Sequence, residues 1–279
     1  MRFQLGALPI DAEIHRRQLS FVHSILACDN STIQGLTDRQ LIMNLDNPHS
    51  FFCKVAGTLT LYELPTIGQL KQHLPSKLTW KLTVKKAIQL YWTEFLLKDM
   101  QDKSTLHFMD QTTLKIGSTH PIWTSLSSTV SSVKKGNIKA WLLTGTYLLE
   151  INKHKFSSGK ESPLCKCCGT ENEDVTHFLL LCPALYKQRK ESFPKIKAFM
   201  ISLIGMAKWT SNFNEKSAIV RLIIDSTFAL PMIKNRSDLE GLHRLSADMC
   251  HKLHAQRTWL LQKKLNCRVS VGTATLDHT

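Results

Sequence analysis

The chain has 279 residues, and its 36 Lys and Arg against 22 Asp and Glu give a net charge of +14. Eight cysteines and 43% hydrophobic residues exclude both a disulfide-stapled scaffold and a globally disordered chain. No apolar run approaches the roughly 18 residues that span a bilayer, and Met1-Arg2-Phe3-Gln4-Leu5-Gly6 opens no signal peptide. The expectation is therefore a nuclear or cytoplasmic protein, not secreted, with no membrane partner. In such a compartment clustered cysteines point to a metal before a disulfide.

The pattern reads as mainly α. Pro9, Asp11 and Glu13 open a helix that carries Ile10, Ile14, Leu19, Val22, Ile25 and Leu26 to about Cys28. Shorter helices are expected over Asp38–Leu45 and Phe51–Tyr62, the second ending before Leu64-Pro65. A long helix is expected over Leu78–Met100, burying Leu82, Ala87, Leu90, Phe95 and Leu97. Residues 104–122 read as irregular, broken by Gly117-Ser118-Thr119-His120-Pro121. Further helices follow at Thr129–Leu149, Asp174–Leu181, Ala184–Ser192, Glu215–Phe228 and Ser237–Leu265; the last repeats Leu239, Leu242, Leu245, Met249 and Leu253. The fold expected is an irregular helical region over 1–153, a small Cys/His knuckle over 154–192 and a helical tail over 193–279.

Positive charge is uneven. Residues 1–30 balance three basic against three acidic groups, whereas 131–200 hold 12 against 6 and 234–268 hold 8 against 3. The excess in the second half favours a polyanionic partner, nucleic acid first and acidic lipid second.

One motif carries chemistry. Cys165, Cys168, His177 and Cys182 form a C-x2-C-x8-H-x4-C pattern, three thiolates and an imidazole suited to one tetrahedral, structural Zn²⁺. Four protein ligands leave no position for a catalytic water. Gly169, directly after Cys168, can supply the positive φ such a turn needs. Cys167 reads as a spare thiol pointing away, since the alternative pair Cys165/Cys167 loses the glycine's placement. Thr170-x-x-Glu173 resembles a capping box, with Asn172 a second candidate cap, for a short helix carrying His177. On a regular helix Cys182 would lie about 140° round from His177; Pro183 is expected to push Cys182 out of helical geometry and let it return to the metal. The competing reading is four core residues that happen to be near one another.

Cys250, His251, His254 and Cys267 offer a weaker second cluster, for which core or surface roles are the default. Cys28 and Cys53 read as small core residues, and most of the six tryptophans as core anchors. No Asp-Asp pair, no phosphate-binding glycine loop and no G-x-S-x-G occurs, which weighs against an enzyme.

The segment Cys165-x2-Cys168-x8-His177-x4-Cys182-Pro183 resembles the zinc-binding segment downstream of the reverse transcriptase in LINE-type, non-LTR retrotransposons of invertebrates. Leu8–Leu19 looks like the helix after the polymerase thumb. His120–Trp123 and Leu142–Tyr147 look like stretches before the finger, and Leu222–Asp225 and Cys250–Arg257 like the tail. The resemblance implies a C-terminal fragment without the polymerase core, hence no polymerase activity, with one zinc ion, the element's RNA or its target DNA as partner, and an upstream polymerase domain as a further one.

The acidic Glu171, Glu173 and Asp174 make the inter-ligand loop a poor phosphate contact. The candidate nucleic-acid contacts are Lys153, Lys155, Lys160 and Lys166 before the finger and Lys187, Arg189 and Lys190 after it. The plain alternative is a solvated basic face. Rival functions are a zinc-stabilised protein-interaction module derived from a retroelement and a nuclease with dispersed carboxylates.

Overall fold

The computed structural model describes residues 6–44, 47–110, 112 and 116–273, and among these it is mainly α-helical with no extended strand. The chain forms two compact units. One holds the helices up to Asp102; the other holds the segment from Lys103 and the chain from His120 onward. The expected division at 153/154 falls inside the second unit, so the helices before the knuckle pack with those after it.

In the first unit, α1 (Ile10–Leu26), α2 (Ser31–Met43), α3 (Phe51–Leu61), α4 (Ile67–Gln72) and α5 (Lys77–Asp102) follow one another through short capped connections. Leu45, at the expected end of α2, lies outside the described residues. Asn30 caps α2, Ser50 caps α3, and Thr66 with Gln69 forms a reciprocal capping box on α4. Leu19, Val22, Val55, Leu59, Leu70, Trp80, Val84 and Ile88 pack as one core. Its few polar groups are paired: the Trp80 indole donates to the Leu19 carbonyl at 3.0 Å, and that of Trp92 donates to the Tyr62 hydroxyl at 3.1 Å.

The buried face of α5 differs from expectation. Trp80, Val84, Ile88, Leu96 and Met100 face inward, whereas Leu82, Leu90 and Phe95 are exposed. Both faces of this helix are apolar, so leucine periodicity alone does not choose between them; Trp80, the largest fully buried side chain, sets the rotation.

The second unit contains α6 (Pro121–Thr124), α7 (Val130–Leu143), α8 (Glu150–Phe156), α9 (Tyr186–Ile204), α10 (Met206–Asn212), α11 (Lys216–Ile224) and α12 (Arg236–Thr273). The long α12 packs against both α7 and α9. The single helix expected over 129–149 breaks at Gly145, whose φ is 64° and whose added Cβ would meet the Thr105 carbonyl oxygen at 2.6 Å. Helix α9 continues beyond Ser192 to Ile204, past an exposed Pro194. Cys28 and Cys53 are only half-buried, and Trp141 and Trp259 are 40% and 53% exposed, so neither tryptophan is a core anchor.

Candidate metal centre

The knuckle begins as a very short hairpin. Leu164 and Asn172 form an isolated antiparallel bridge, and the Cys165 N–H donates to the Glu171 carbonyl at 2.8 Å. Between them the chain turns tightly, closed by the Gly169 N–H on the Cys165 carbonyl at 2.7 Å. Gly169 has φ 75°, as the C-x2-C-G spacing requires.

The helix expected to carry His177 takes an unexpected form. Asp174 caps it, accepting the His177 N–H at 2.6 Å on Oδ1, while Thr170 instead lies 3.1 Å from the Cys168 sulfur and Glu173 is buried elsewhere. The capping-box reading of Thr170 and Glu173 is therefore replaced. His177–Leu181 is a π-helical turn, closed by the Cys182 N–H on the His177 carbonyl at 2.7 Å, an i to i+5 bond. The widened turn stacks Cys182 over His177 and removes the angular mismatch of a regular helix. Pro183 contributes by holding Cys182 at φ −53°, ψ 117°, outside the helical region.

These elements bring one ligand atom from each of Cys165, Cys168, His177 and Cys182 within 4.8 Å of one another, a set that could hold a metal ion. The Cys165 and Cys182 sulfurs are 3.8 Å apart, and the Cys168 sulfur is 3.3 Å from His177 Nε2. A tetrahedral ion with metal–sulfur bonds of about 2.3 Å has a sulfur–sulfur edge of about 3.8 Å. Nε2 faces the cluster because Nδ1 is held 3.1 Å from Glu171 Oε2, the outer carboxylate that orients a ligating imidazole. Burial disfavours the imidazolium, but the bonds to Glu171, Cys165 and Cys168 outweigh it and raise the His177 pKa. Hydrogen bonds from Cys167 and Cys182 pull the Cys165 thiol towards thiolate.

Cys167 is buried, and its thiol lies beside that of Cys165 rather than pointing away; with Cys165 and Glu173 it forms a second, three-donor grouping. The Glu173 carboxylate in that grouping is already committed. Arg257 of α12 grips it through Nε at 2.7 Å and Nη2 at 2.6 Å, and the Glu150 N–H donates to it at 3.0 Å. Arg257 also donates to the Leu148 carbonyl at 3.2 Å, and Lys264 donates to the carbonyls of Lys166 and Cys167 at 2.7 and 3.2 Å. The terminal helix thus holds the knuckle from one side. Arg189 of α9 holds it from another, donating to the carbonyls of Leu179 and Cys182 at 3.0 and 2.7 Å.

The seven basic residues picked out by sequence separate into two groups. Lys153 and Lys166 pair with the fully buried Glu150 at 2.7 and 2.8 Å, and Arg189 is bound to backbone. Lys155, Lys160, Lys187 and Lys190 are exposed and form no ion pair among the described residues. Cys250, His251 and His254 do not gather as ligands: Cys250 is buried, His254 Nδ1 is 2.8 Å from the Tyr147 hydroxyl, and the Cys267 side chain lies outside the described residues.

Sequence reading missed the supporting charges. Glu150 sits inside Leu148-Leu149-Glu150-Ile151, and Arg257 falls on the buried α12 stripe that includes Leu242, Met249 and Leu253. A charge on an apolar stripe needs a buried partner, and that was the available signal. No described helix is long and apolar enough to cross a membrane. Comparison with protein-family models, curated proteins and solved structures finds no match to this chain.

Proposed function

We propose that the chain is a zinc-stabilised nucleic-acid-binding segment, corresponding to the C-terminal region of a LINE-type reverse transcriptase protein. The observation that carries the metal part is the convergence of Cys165, Cys168, His177 and Cys182 on one point with a tetrahedral sulfur–sulfur edge. Three thiolates and one imidazole favour zinc over magnesium or calcium, which prefer oxygen ligands. The ion's role is structural, because the four protein ligands complete its coordination.

The nucleic-acid part rests on charge. The net +14 is concentrated in the second half, and Lys155, Lys160, Lys187 and Lys190 stay exposed around the knuckle. Phosphate contacts release counterions, with a log–log salt slope of about −0.7 per contact on single strands and −0.9 on duplex. With four to six contacts, affinity should fall by roughly two to three orders of magnitude between about 50 and 200 mM salt. Replacing those four lysines with alanine should flatten the slope without releasing metal. Protein that carries zinc but shows no salt-dependent binding to RNA or DNA would instead favour the protein-interaction module. No primer extension is expected, since the paired carboxylates of a polymerase are absent from the sequence.

A further inference from the structure

We propose that the cavity between the start of α7 and the middle of α12 binds a backbone phosphodiester of a nucleic-acid strand, with Arg244 and Lys135 on the phosphate oxygens and the Ser127 and Ser132 hydroxyls donating to them. The inference rests on the nucleic-acid reading above and adds a built contact site, distinct from the four exposed lysines around the knuckle.

The cavity has a volume of about 200 Å³, and Ser125, Ser127, Ser132, Lys135, Arg244 and Asp248 line it. Packing fixes its walls. Leu126 and Trp123 close over Gly136 of α7, where an added Cβ would strike the Leu126 side chain, so the loop before α7 is held on that helix. Helices α6 and α7 both pack on α12, the helix that carries Arg244 and Asp248. Ser127 Oγ is 2.7 Å from Ser132 Oγ, and Thr129 caps α7 by accepting the Ser132 N–H at 3.3 Å. The loop thus presents hydroxyls that can turn to donate to an anion. Two cations line the same space. Lys135 Nζ is 2.5 Å from Asp248 Oδ1, with both side chains partly exposed. Arg244 is exposed and forms no ion pair among the described residues; Glu240, one turn earlier on α12, is paired with Arg236 at 3.1 Å. The positive field reaches His251, whose pKa is lowered by burial first and then by Lys135 and Lys134, against the opposing Asp248.

The charge balance selects the ligand. Lys135 and Arg244 against Asp248 leave one net positive charge in the cavity wall, which matches the single negative charge of a phosphodiester. A phosphate monoester carries about −1.5 to −2 at pH 7 and would set its second charge against the Asp248 carboxylate. The planar guanidinium of Arg244 can take two phosphate oxygens at once, which a lysine cannot do. The lining holds no aromatic ring, so nothing there stacks on a base or anchors at a bilayer interface. The contact therefore reads backbone, positions the strand and carries no sequence preference.

The test uses the full, metal-loaded chain with a fluorescein-labelled 20-nucleotide oligo-dT and a 20-base-pair duplex, read by anisotropy over a range of salt. Arg244→Gln should weaken binding roughly 10-fold or more and lower the log–log salt slope by about 0.7 on the single strand and 0.9 on the duplex. Arg244→Lys should keep the slope and lose part of the affinity, because a point charge replaces the fork. Asp248→Asn should tighten binding by roughly 2- to 5-fold at low salt, a gain that damage to the fold would not produce. Zinc content and circular dichroism check that each variant is folded. An unchanged affinity and slope in Arg244→Gln, in a parent that binds nucleic acid, overturns the cavity while the proposed function stands. Weaker binding by a folded Asp248→Asn overturns the charge balance and with it the phosphodiester assignment. A parent that binds neither probe overturns both readings. Arg244-dependent binding to phosphatidylglycerol vesicles, with none to either oligonucleotide, assigns the cavity to lipid and also overturns the proposal.

Discussion

The two units solve the problem of the interior differently. The unit up to Asp102 has an apolar core in which the polar groups are indole, imidazole and hydroxyl partners at its edge, such as His23 Nε2 on the Pro75 carbonyl at 2.8 Å. The unit around the knuckle buries charge: Lys139, Glu150 and Asp225 are fully buried, and Glu173 and Arg257 nearly so. Apolar burial is nondirectional and tolerates exchange. Buried charge works only if each group keeps its partner. The first unit should therefore yield gradually to substitution, and the second should fail at particular atoms.

The largest difference should come from the metal. A structural zinc site contributes about 10 kcal/mol or more to the folding of its segment. Chelation, Cys168→Ser or His177→Ala should therefore unfold residues 160–192 and loosen α12 where Arg257 and Lys264 grip the knuckle. Helices α1 to α5 contain none of the four ligands and should keep their amide-exchange protection. Cys167→Ser should retain one metal per chain, measured by elemental analysis. Loss of protection throughout the first unit on chelation would abolish the distinction.

Next in size is the Arg257–Glu173 fork. Removing one partner of a buried ion pair destabilises by about 3–5 kcal/mol, because the other charge is left uncompensated. Arg257→Met should show this loss in denaturant titration, and Glu173→Gln a comparable one. Combining the two should recover part of it. Equal and additive losses would mean that the two groups act independently.

Legibility in the sequence follows the same divide. Helix existence was readable in both units from periodicity, and the four clustering Cys and His positions from their spacing with Gly169 and Pro183. What could not be read was rotation and backbone detail. Helix α5 carries apolar residues on every face, so Leu82 and Leu90 looked as suitable for the core as Val84 and Ile88. The π-helical turn arises from a five-residue separation that a regular helix cannot satisfy, and 3.6-residue periodicity does not foresee it. The roles of Lys153, Lys166 and Arg189 were hidden because their partners, a buried carboxylate and backbone carbonyls, are assembled only by tertiary packing.

A third test uses pH. Lys139 is buried between α7 and α12, donating to Ser226 Oγ at 3.1 Å, to His243 Nδ1 at 3.1 Å and to Ser246 Oγ, with Cys250 and Asp225 nearby. Burial pushes its pKa down to about 8, below the usual 10.5. Between these values the unfolded chain binds the proton that the folded chain has lost, so the stability of this unit should rise with pH across that window. The single-group effect is on the order of 3 kcal/mol. Lys139→Met should remove this component of the slope, with the cysteine and tyrosine titrations common to both proteins cancelling in the difference. An unchanged slope would show that Lys139 keeps its proton through another partner.

The smallest effect should be at Gly169, and it separates backbone strain from packing. Its φ is 75°, but an added Cβ would meet no atom within 4 Å. Gly169→Ala therefore tests the left-handed conformation alone, which disfavours an L-residue by about 1–2 kcal/mol. Because the turn's shape is needed to bring Cys165 and Cys168 to one ion, the penalty should appear as metal affinity weakened by roughly 5- to 30-fold, measured by chelator competition. Gly145 offers the contrast within the same unit. Its φ is 64° and its Cβ would collide with Thr105 backbone, so Gly145→Ala adds a clash to the same strain. Gly145→Ala should lower global stability more than Gly169→Ala does while leaving the ligands correctly arranged. If Gly169→Ala binds metal as tightly as the parent, the turn must relax to another conformation that still presents both thiolates, and the glycine's positive φ would be a local preference rather than a requirement of the site.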